Sequence, residues 1–355
     1  MNEINTAQTL REDLFEKSTQ ADESRTHQDL IREVDSSSLS ILYLGNFDVS
    51  STTETYVTKS LEALGHTVHR LSYKLATLDR VTPKLEGVDV LLLAKRSVPC
   101  LKDVIPLAKE KGITVVTWVW DLFYGFGRKP PQHCFDSDLF LSSDGGHIEE
   151  LGPTHKVLRQ GIYGPEALMR YEGEEYVVTL PYDPNLKPYT NYKHDVAFVG
   201  SLYNSDRRAL VSWLQSTYGD RFIHHTKRRG LNLNTSLSEV KVVVGDSFPS
   251  ANYWSNRIYE ITGRGGFLLH PHTKGLDSEY TEGEHYIGYS RLKGNKNERR
   301  TLQRQLKTLI DQWVDDNEKR EAVRIQGFLH TSQNYTYEIR CRELVDTIHQ
   351  HHKSS

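Results

Sequence analysis

The chain has 355 residues, of which 37% are hydrophobic and 26% charged, a composition typical of folded globular proteins rather than disordered chains. Its 44 Lys and Arg against 47 Asp and Glu give a formal net charge of −3, which argues against a protein that coats nucleic acid and leaves room only for a local basic patch. The length allows two domains of ordinary size.

The three cysteines, Cys100, Cys134 and Cys341, are far apart and show no C-x-x-C spacing. They indicate a reducing, cytoplasmic setting and argue against a disulfide or metal framework. The first residues, MNEINTAQTLREDLFEK, lack a basic segment followed by an apolar core, so we expect no signal peptide. We also expect no membrane span, since no apolar run approaches the roughly 18 residues required.

Residues 1–38 are polar and acidic, and they predict a peripheral arm. From residue 39 onward, short apolar strands alternate with helical segments. The strand candidates between Ser40 and Ser142 are SILYLG, HTVHRLS, VDVLLLA, ITVVTWV and DLFLS, with helical spacing at 51–64 and 100–111. Nearly continuous Val, Ile and Leu strands between helices predict a parallel sheet covered on both faces.

The segment PYDPNLKPYTNYK at 181–193 has three prolines and no periodicity, so it predicts an interdomain linker. After it the alternation resumes with HDVAFVG, a helix at 205–217, EVKVVVG, a helix at 254–263 and GFLLH. Helices are predicted at 299–314, 317–330 and 335–350. We therefore predict domains at 39–185 and 190–330, and at 331–355 a helix that packs back on the first domain and ends in a polar tail.

Two similar stretches, ILYLGNF at 41–47 and VAFVGSL at 196–202, each join an apolar strand through a glycine to a loop before a helix. Taken singly, each is compatible with an ordinary strand–helix turn. Together they predict two Rossmann-like halves facing a cleft, with ligands at the carboxyl ends of the strands.

The stretch SNRIYEITGRGGFLLH at 255–270 has two interpretations. One is an ion-paired surface helix ended by a glycine cap. The other is a ligand site, in which Gly263, Gly265 and Gly266 supply close backbone approach and free N–H groups. In that site a carboxylate accepts the ribose hydroxyls and an arginine binds a diphosphate.

The run NRIYEITGRGGFLL at 256–269, with Tyr280, Gly283, Glu284 and Tyr289 after it, resembles the donor-binding half of GT-B glycosyltransferases. It is most similar to the CgeB-like (spore maturation protein) group of family 1-type sequences, as are residues 320–327 and 330–340. The resemblance covers about 190–345. It implies a GT-B fold of two Rossmann-like α/β domains, with parallel sheets facing a central cleft.

The resemblance also implies roles for individual residues. Glu260 would bind the ribose, Arg257 the diphosphate, and Arg207 would be a further clamp. The remaining residues expected around the nucleotide sugar are Gly45, Asn46, Gly200, Ser201, Asn256, Tyr259, Gly265 and Gly266. Many retaining GT-B enzymes carry a glutamate eight residues before the ribose-binding one, whereas this chain has Asn252 there.

Asp121 ends the apolar strand ITVVTWVWD and is the candidate catalytic base. A carboxylate at the carboxyl end of a parallel strand faces the cleft, where it can deprotonate an acceptor hydroxyl. Phage DNA base glucosyltransferases resemble this arrangement more distantly, with Arg-x-x-Glu on the donor side. Asp48 is an alternative base, and a purely structural interpretation makes Asp121 a cap of the next loop.

The function expected from these features is transfer of a hexosyl or pentosyl group from a nucleotide-diphosphate sugar, a UDP-sugar above all, to an acceptor hydroxyl. No obligatory metal or other cofactor is expected, since the nucleotide sugar is a co-substrate. One alternative acceptor is a hydroxymethylated pyrimidine in DNA, which the basic segment HHTKRRG at 224–230 and a basic rim beside the cleft would favour. The other alternative is a non-catalytic nucleotide-sugar binding protein or an epimerase.

Overall fold

The computed structural model describes residues 38–124, 127–180, 183 and 186–354. Except for Ser38, the predicted arm at 1–38 lies outside the described residues, as do four positions of the predicted linker at 181–193. Residues from Leu39 onward form one unit.

The first domain contains a six-stranded sheet in which every neighbouring pair is parallel, in the order β2-β1-β3-β4-β5-β6. Its strands are β1 Ser40–Gly45, β2 Thr67–Ser72, β3 Val90–Leu93, β4 Thr114–Val119, β5 Leu139–Ser142 and β6 His155–Val157. Its helices are α1 Thr53–Ala63, α2 Leu78–Val81, α3 Leu101–Glu110, α4 Gln132–Asp136, α5 Ile148–Leu151 and α6 Gly164–Ala167. The five predicted strands are confirmed, whereas β6 is too short to show a pattern.

Alternate residues of these strands enter separate cores on the two faces of the sheet. Tyr43 and Trp118 lie in the core shared with α1, and Leu42 and Leu91 lie in the core shared with α3. All six residues of β4 are buried. This two-faced burial is why the strands read as continuous apolar runs.

The second domain contains a five-stranded parallel sheet in the order β10-β9-β11-β12-β13. A two-stranded antiparallel ribbon, β7 Met169–Tyr171 and β8 Tyr176–Val178, precedes it. The strands of the sheet are β9 His194–Val199, β10 Phe222–His225, β11 Val240–Val244, β12 Leu268–Pro271 and β13 Ile287–Tyr289. Its helices are α7 Ser205–Tyr218, α8 Leu231–Ser238 and α9 Arg257–Thr262.

Three helices complete the chain, α10 Lys296–Asp315, α11 Asn317–Asn334 and α12 Tyr337–Ser354. Cys341, Leu344 and Ile348 of α12 lie in the same core cluster as residues of α1, so the last helix packs on the first domain. The polar end of the chain is helical through Ser354, and His352 Nε2 lies 2.6 Å from Thr114 Oγ1. Short 3₁₀ turns lie at Tyr73–Leu75, Thr82–Leu85, Gly219–Arg221 and Leu276–Ser278.

The described chain is thus an α/β protein with two Rossmann-like domains. The loops at the carboxyl ends of the two sheets contact each other. Gly145, after β5, donates its N–H to the carbonyl oxygen of Asn252, after β11, at 3.1 Å. Arg159, after β6, donates to the same oxygen, also at 3.1 Å. Asn252 has a φ of 53°, which turns its carbonyl toward the first domain.

Candidate functional site

The helix before the glycine cluster is shorter than predicted. Asn256 is the residue before α9, and Trp254 lies outside the helix. The indole of Trp254 is nevertheless buried, and its Nε1 donates to Tyr259 Oη at 2.8 Å. Tyr259, expected beside the nucleotide sugar, is also buried, and its hydroxyl donates to Glu279. Asn256 is exposed.

The glycine cluster ends α9 in a Schellman motif. Gly265 has a φ of +77° and donates its N–H to the carbonyl of Thr262 at 2.9 Å, while Gly266 donates to Ile261 at 2.8 Å. A Cβ on Gly263 would lie 2.7 Å from the carbonyl oxygen of Tyr259. The prediction that this turn offers free N–H groups to a ligand is therefore wrong, because the N–H groups of Gly265 and Gly266 bond to carbonyl oxygens of the helix.

Arg257 turns toward the carboxyl edge of the second sheet and away from Glu260. Its Nε donates to the Val199 carbonyl at 2.8 Å, its Nη1 donates to the Asp246 carbonyl, and Nη2 lies against Gly200. Gly200 has a φ of +135°, and a Cβ there would collide with Nη2. Because Nη2 has no hydrogen-bond partner among the described residues, it remains available to a ligand.

Three guanidinium groups converge here on Asp246, two on its carboxylate and that of Arg257 on its backbone carbonyl. Arg207 Nε donates to Asp246 Oδ2 at 2.9 Å, and Arg291 Nη1 lies 3.5 Å from Asp246 Oδ1. Burial, together with the neighbouring Arg207, lowers the pKa of Arg257 to about 10. The excess of cations over anions makes this edge a site for a multiply charged anion. We call Arg207, Arg257 and Arg291 the arginine cluster.

Arg291 was not predicted as a site residue, because it follows the short strand β13 and no recognisable motif surrounds it.

Gly200 and Ser201, which were expected around the nucleotide sugar, lie at the same edge. The Gly200 N–H donates to the His225 carbonyl at 2.9 Å, and exposed Ser201 accepts from Arg207 Nη1 at 3.0 Å. The Gly200 N–H is therefore engaged within the protein, and the glycine leaves space for the Arg257 guanidinium.

Glu260 belongs to a charged network that joins the two domains. Arg264 donates from Nε to Glu260 Oε2 at 2.7 Å and from Nη2 to Glu166 Oε2 at 2.9 Å. Tyr56 of α1 donates to Glu166 at 2.8 Å, and Arg264 Nη1 donates to Asn234 at 2.9 Å. The predicted Glu260–Arg264 pair is confirmed, and Arg264 is its buried centre. The second oxygen of Glu260, Oε1, has no hydrogen-bond partner among the described residues.

On the first domain, Gly45 and Asn46 lie at the carboxyl end of β1. A Cβ on Gly45 would lie 2.9 Å from Cγ of Glu54, so the glycine makes room for that side chain. The carbonyl of Asn46 accepts from Thr52 at 2.9 Å. Burial raises the pKa of Glu54, and the charges that act on it include Arg229 of the second domain and Asp121. Glu54 was not singled out in the sequence, because an acidic residue in the first turn of a helix is common.

Asp121 follows β4 and pairs with Lys95 Nζ at 2.5 Å, with 61% of its side chain exposed. Its charge acts on Tyr253 of the second domain, which places it at the edge between the domains. The alternative base, Asp48, pairs with Lys74. Both carboxylates are therefore held by exposed lysines.

A second acid–base pair lies in the loop after β5. Nδ1 of His147 is 2.9 Å from Oδ2 of Asp144, whose side chain is almost fully buried. Oδ1 of Asp144 also accepts from the Gly146 N–H at 2.9 Å. A buried carboxylate at Nδ1 orients an imidazole and leaves Nε2 for proton transfer. The segment SSDGGH contains both residues, and their three-residue spacing is the signal that was overlooked.

Comparison with known proteins gives a family match for part of the chain. Residues 186–346 match the family model described as glycosyl transferase-like. The arginine cluster and Glu260 lie within the matched segment. No curated protein matches the sequence.

Solved structures resemble the chain along most of its length. HepE from Anabaena, solved in complex with UDP and glucose, has a TM-score of 0.59 at 11% identity, covering 88% of this chain and 100% of that one. A glycosyltransferase from Rickettsia africae gives 0.61 at 11%, covering 90% and 100%. Sucrose-phosphate synthase from Thermosynechococcus elongatus gives 0.59 at 9%, covering 89% and 100%.

The chain has the GT-B fold, and its residues 186–346 are similar to the glycosyl transferase-like family. The predicted fold class is confirmed. In the described part of the chain, no helix is both long and apolar enough to cross a membrane. Nor does that part contain a group of His, Cys, Asp and Glu side chains arranged to hold a metal ion.

Proposed function

We propose that the protein transfers a sugar from a UDP-sugar to an acceptor hydroxyl. The observation that carries the proposal is the arginine cluster, three guanidinium groups that contact Asp246 at the carboxyl edge of the second sheet. In a parallel α/β sheet this edge is where ligands bind. HepE, of the same fold, was solved with UDP and with UDP-glucose, which supports the choice of nucleotide.

In this proposal each charged group has a defined task. Nη2 of Arg257 binds the diphosphate, and the cluster stabilises the charge that develops on the leaving UDP. Glu260, fixed by Arg264, accepts the ribose hydroxyls through its free oxygen. Since guanidinium groups carry the charge, no obligatory metal is required. The three cysteines are unpaired, which supports the proposed cytoplasmic setting.

The donor is tested by thermal shift with UDP, UDP-glucose, UDP-galactose, GDP-mannose and dTDP-glucose. We expect UDP and at least one UDP-sugar to raise the melting temperature, since a ligand at 100 times its Kd adds about 2.7 kcal/mol of stability. Stabilisation by none of the five compounds would reject the proposed donor site. Stabilisation by GDP-mannose or dTDP-glucose alone would reject UDP.

We further propose that Asp121 is the base of an inverting reaction, and we predict that Asp121→Asn lowers kcat by about 10²-fold or more. Asp48→Asn tests the alternative base, another lysine-paired carboxylate on the same domain, and we expect it to keep activity close to that of wild type. His147→Asn is measured beside them. If Asp121→Asn keeps full activity while His147→Asn loses it, the base is the His147–Asp144 pair and the assignment to Asp121 is wrong.

A second candidate acceptor, a hydroxymethylated pyrimidine in DNA, is favoured by the basic residues around the cleft. Lys95 and Arg96 follow β3, Arg128 and Lys129 lie in the loop after β4, and residues 227–229 (Lys-Arg-Arg) follow β10. All of them are exposed. Incubating the protein with the stabilising UDP-sugar and hydroxymethylcytosine-containing duplex tests this candidate. A mass increase of one glycosyl residue per modified base is the expected result, and its absence rejects this acceptor.

A further inference from the structure

A groove on the outer surface of the second domain lies between α7 and α10. It has a volume of about 590 Å³. Trp213 and Thr217 of α7 form one wall, and residues from the first half of α10 form the other. None of its lining residues is acidic. We call it the α7/α10 groove.

Three cations project along the α10 wall. Arg300, Arg304 and Lys307 are four and three residues apart, so they lie on one face of the helix at intervals of about 6 and 4.5 Å along its axis. All three are exposed, and Arg300 has no partner among the described residues. Lys307 alone is paired, with Asp311. The wall therefore carries a row of cations with little neutralising charge.

The row continues toward the cleft. Lys296 and Lys293 are exposed and precede it, and before them Arg291 belongs to the arginine cluster. The one acid in this stretch, Glu298, is engaged in a capping box with Asn295. A basic strip thus runs from the edge of the proposed donor site outward along α10, in a chain whose overall charge is −3.

The opposite wall carries an aromatic surface. Trp213 is partly exposed, and its indole N–H has no hydrogen-bond partner among the described residues. Thr301, Asn297 and Gln303 add hydroxyl and amide donors between the cations. Cations, hydroxyls and amides are the groups that contact phosphate oxygens, while aromatic rings stack on unpaired bases.

We propose that the α7/α10 groove binds the phosphodiester backbone of a nucleic acid, with Trp213 stacking on an unpaired base. A charged membrane surface fits less well, because the leucines of α10 are buried or partly buried and none is available for insertion. The proposal does not depend on the proposed function, since binding is measured without a donor sugar.

The test is fluorescence anisotropy with a labelled 20-nucleotide oligothymidylate and a labelled 20-base-pair duplex. The variant is Arg300→Gln with Arg304→Gln. Its matched control is Arg80→Gln with Lys84→Gln, two exposed cations of the first domain. We expect the groove variant to bind the strand about tenfold more weakly than wild type, and the salt slope of log K to become about 1.4 shallower for two lost contacts. The control should bind as wild type does.

The strand and duplex distinguish the source of the phosphates. Tighter binding of the strand, reduced by Trp213→Phe, supports stacking on the indole. Equal binding of both overturns the stacking part. Unchanged binding in the groove variant overturns the proposal. Displacement of the strand by a heparin hexasaccharide at a lower concentration than unlabelled strand requires also overturns it, because the groove then prefers an anionic glycan.

Discussion

Replacing Arg257 with alanine is expected to lower kcat/KM for the UDP-sugar by about 10²–10³-fold, the range found when one charge-stabilising donor is removed from an active site. The reason is geometric. Nη2 is the unpaired end of a guanidinium whose Nε and Nη1 are held by the Val199 and Asp246 carbonyls. Arg257→Lys should recover only part of the loss, since an ammonium keeps the charge but not the planar fork.

The loss is measured by steady-state kinetics, with UDP affinity determined by calorimetry. Gly200→Ala provides an independent test, because its methyl group would displace Nη2 while leaving the arginine in place. Its matched control is Gly283→Ala, which also has a positive φ, of +87°, but has open space around the added carbon. We expect only the first glycine variant to lose UDP affinity. If Arg257→Ala keeps transfer within about threefold of wild type, the diphosphate role is wrong.

Replacing Arg264 with methionine is expected to destabilise the fold by about 3 kcal/mol. The variant would leave Glu166 and Glu260 facing each other without their common cation, and removing one partner of a buried ion pair costs about 3–5 kcal/mol. The lower figure applies because both carboxylates keep about a fifth of their side-chain surface exposed.

This change is measured by urea unfolding of the wild-type protein and the variant at pH 7. Arg221→Met is the matched control, since Arg221 pairs with Asp195 at 3.0 Å but keeps 59% of its side chain exposed. An exposed pair of this kind contributes at most about 1 kcal/mol. A loss below about 1 kcal/mol in Arg264→Met would show that the network does not stabilise the junction of the two domains.

Strands that are buried on both faces were predictable from the sequence. Four strands of the first sheet, β1, β3, β4 and β5, show as apolar runs because each lies between two cores, whereas the edge strand β2 is largely exposed. The strands of the two parallel sheets that were not predicted, β6, β10 and β13, are three or four residues long, and they pair with strands that lie elsewhere in the chain. A run of three or four residues is too short to show a hydrophobic periodicity from which a strand could be predicted.

The stretch at 255–270 was also predicted only in part from the sequence. Its sequence identified a helix ended by glycines, and the Glu260–Arg264 pair follows from their spacing of four residues. Its glycines, however, owe their presence to a helix end and to close packing, since Gly263 has no room for a side chain beside Tyr259 and Thr331. The ligand-facing role rests on side chains instead.

The sequence by itself determined the two strand–helix domains and the stretch that carries Arg257 and Glu260, because hydrophobic period and glycine turns are local features. Only the tertiary structure decided which charges meet. Arg207, Asp246, Arg257 and Arg291 come together because β9, β11 and β13 end at one edge. Glu166 and Tyr56 meet Arg264 across the two domains. Such contacts join residues up to about a hundred positions apart, and no periodicity in the chain records them.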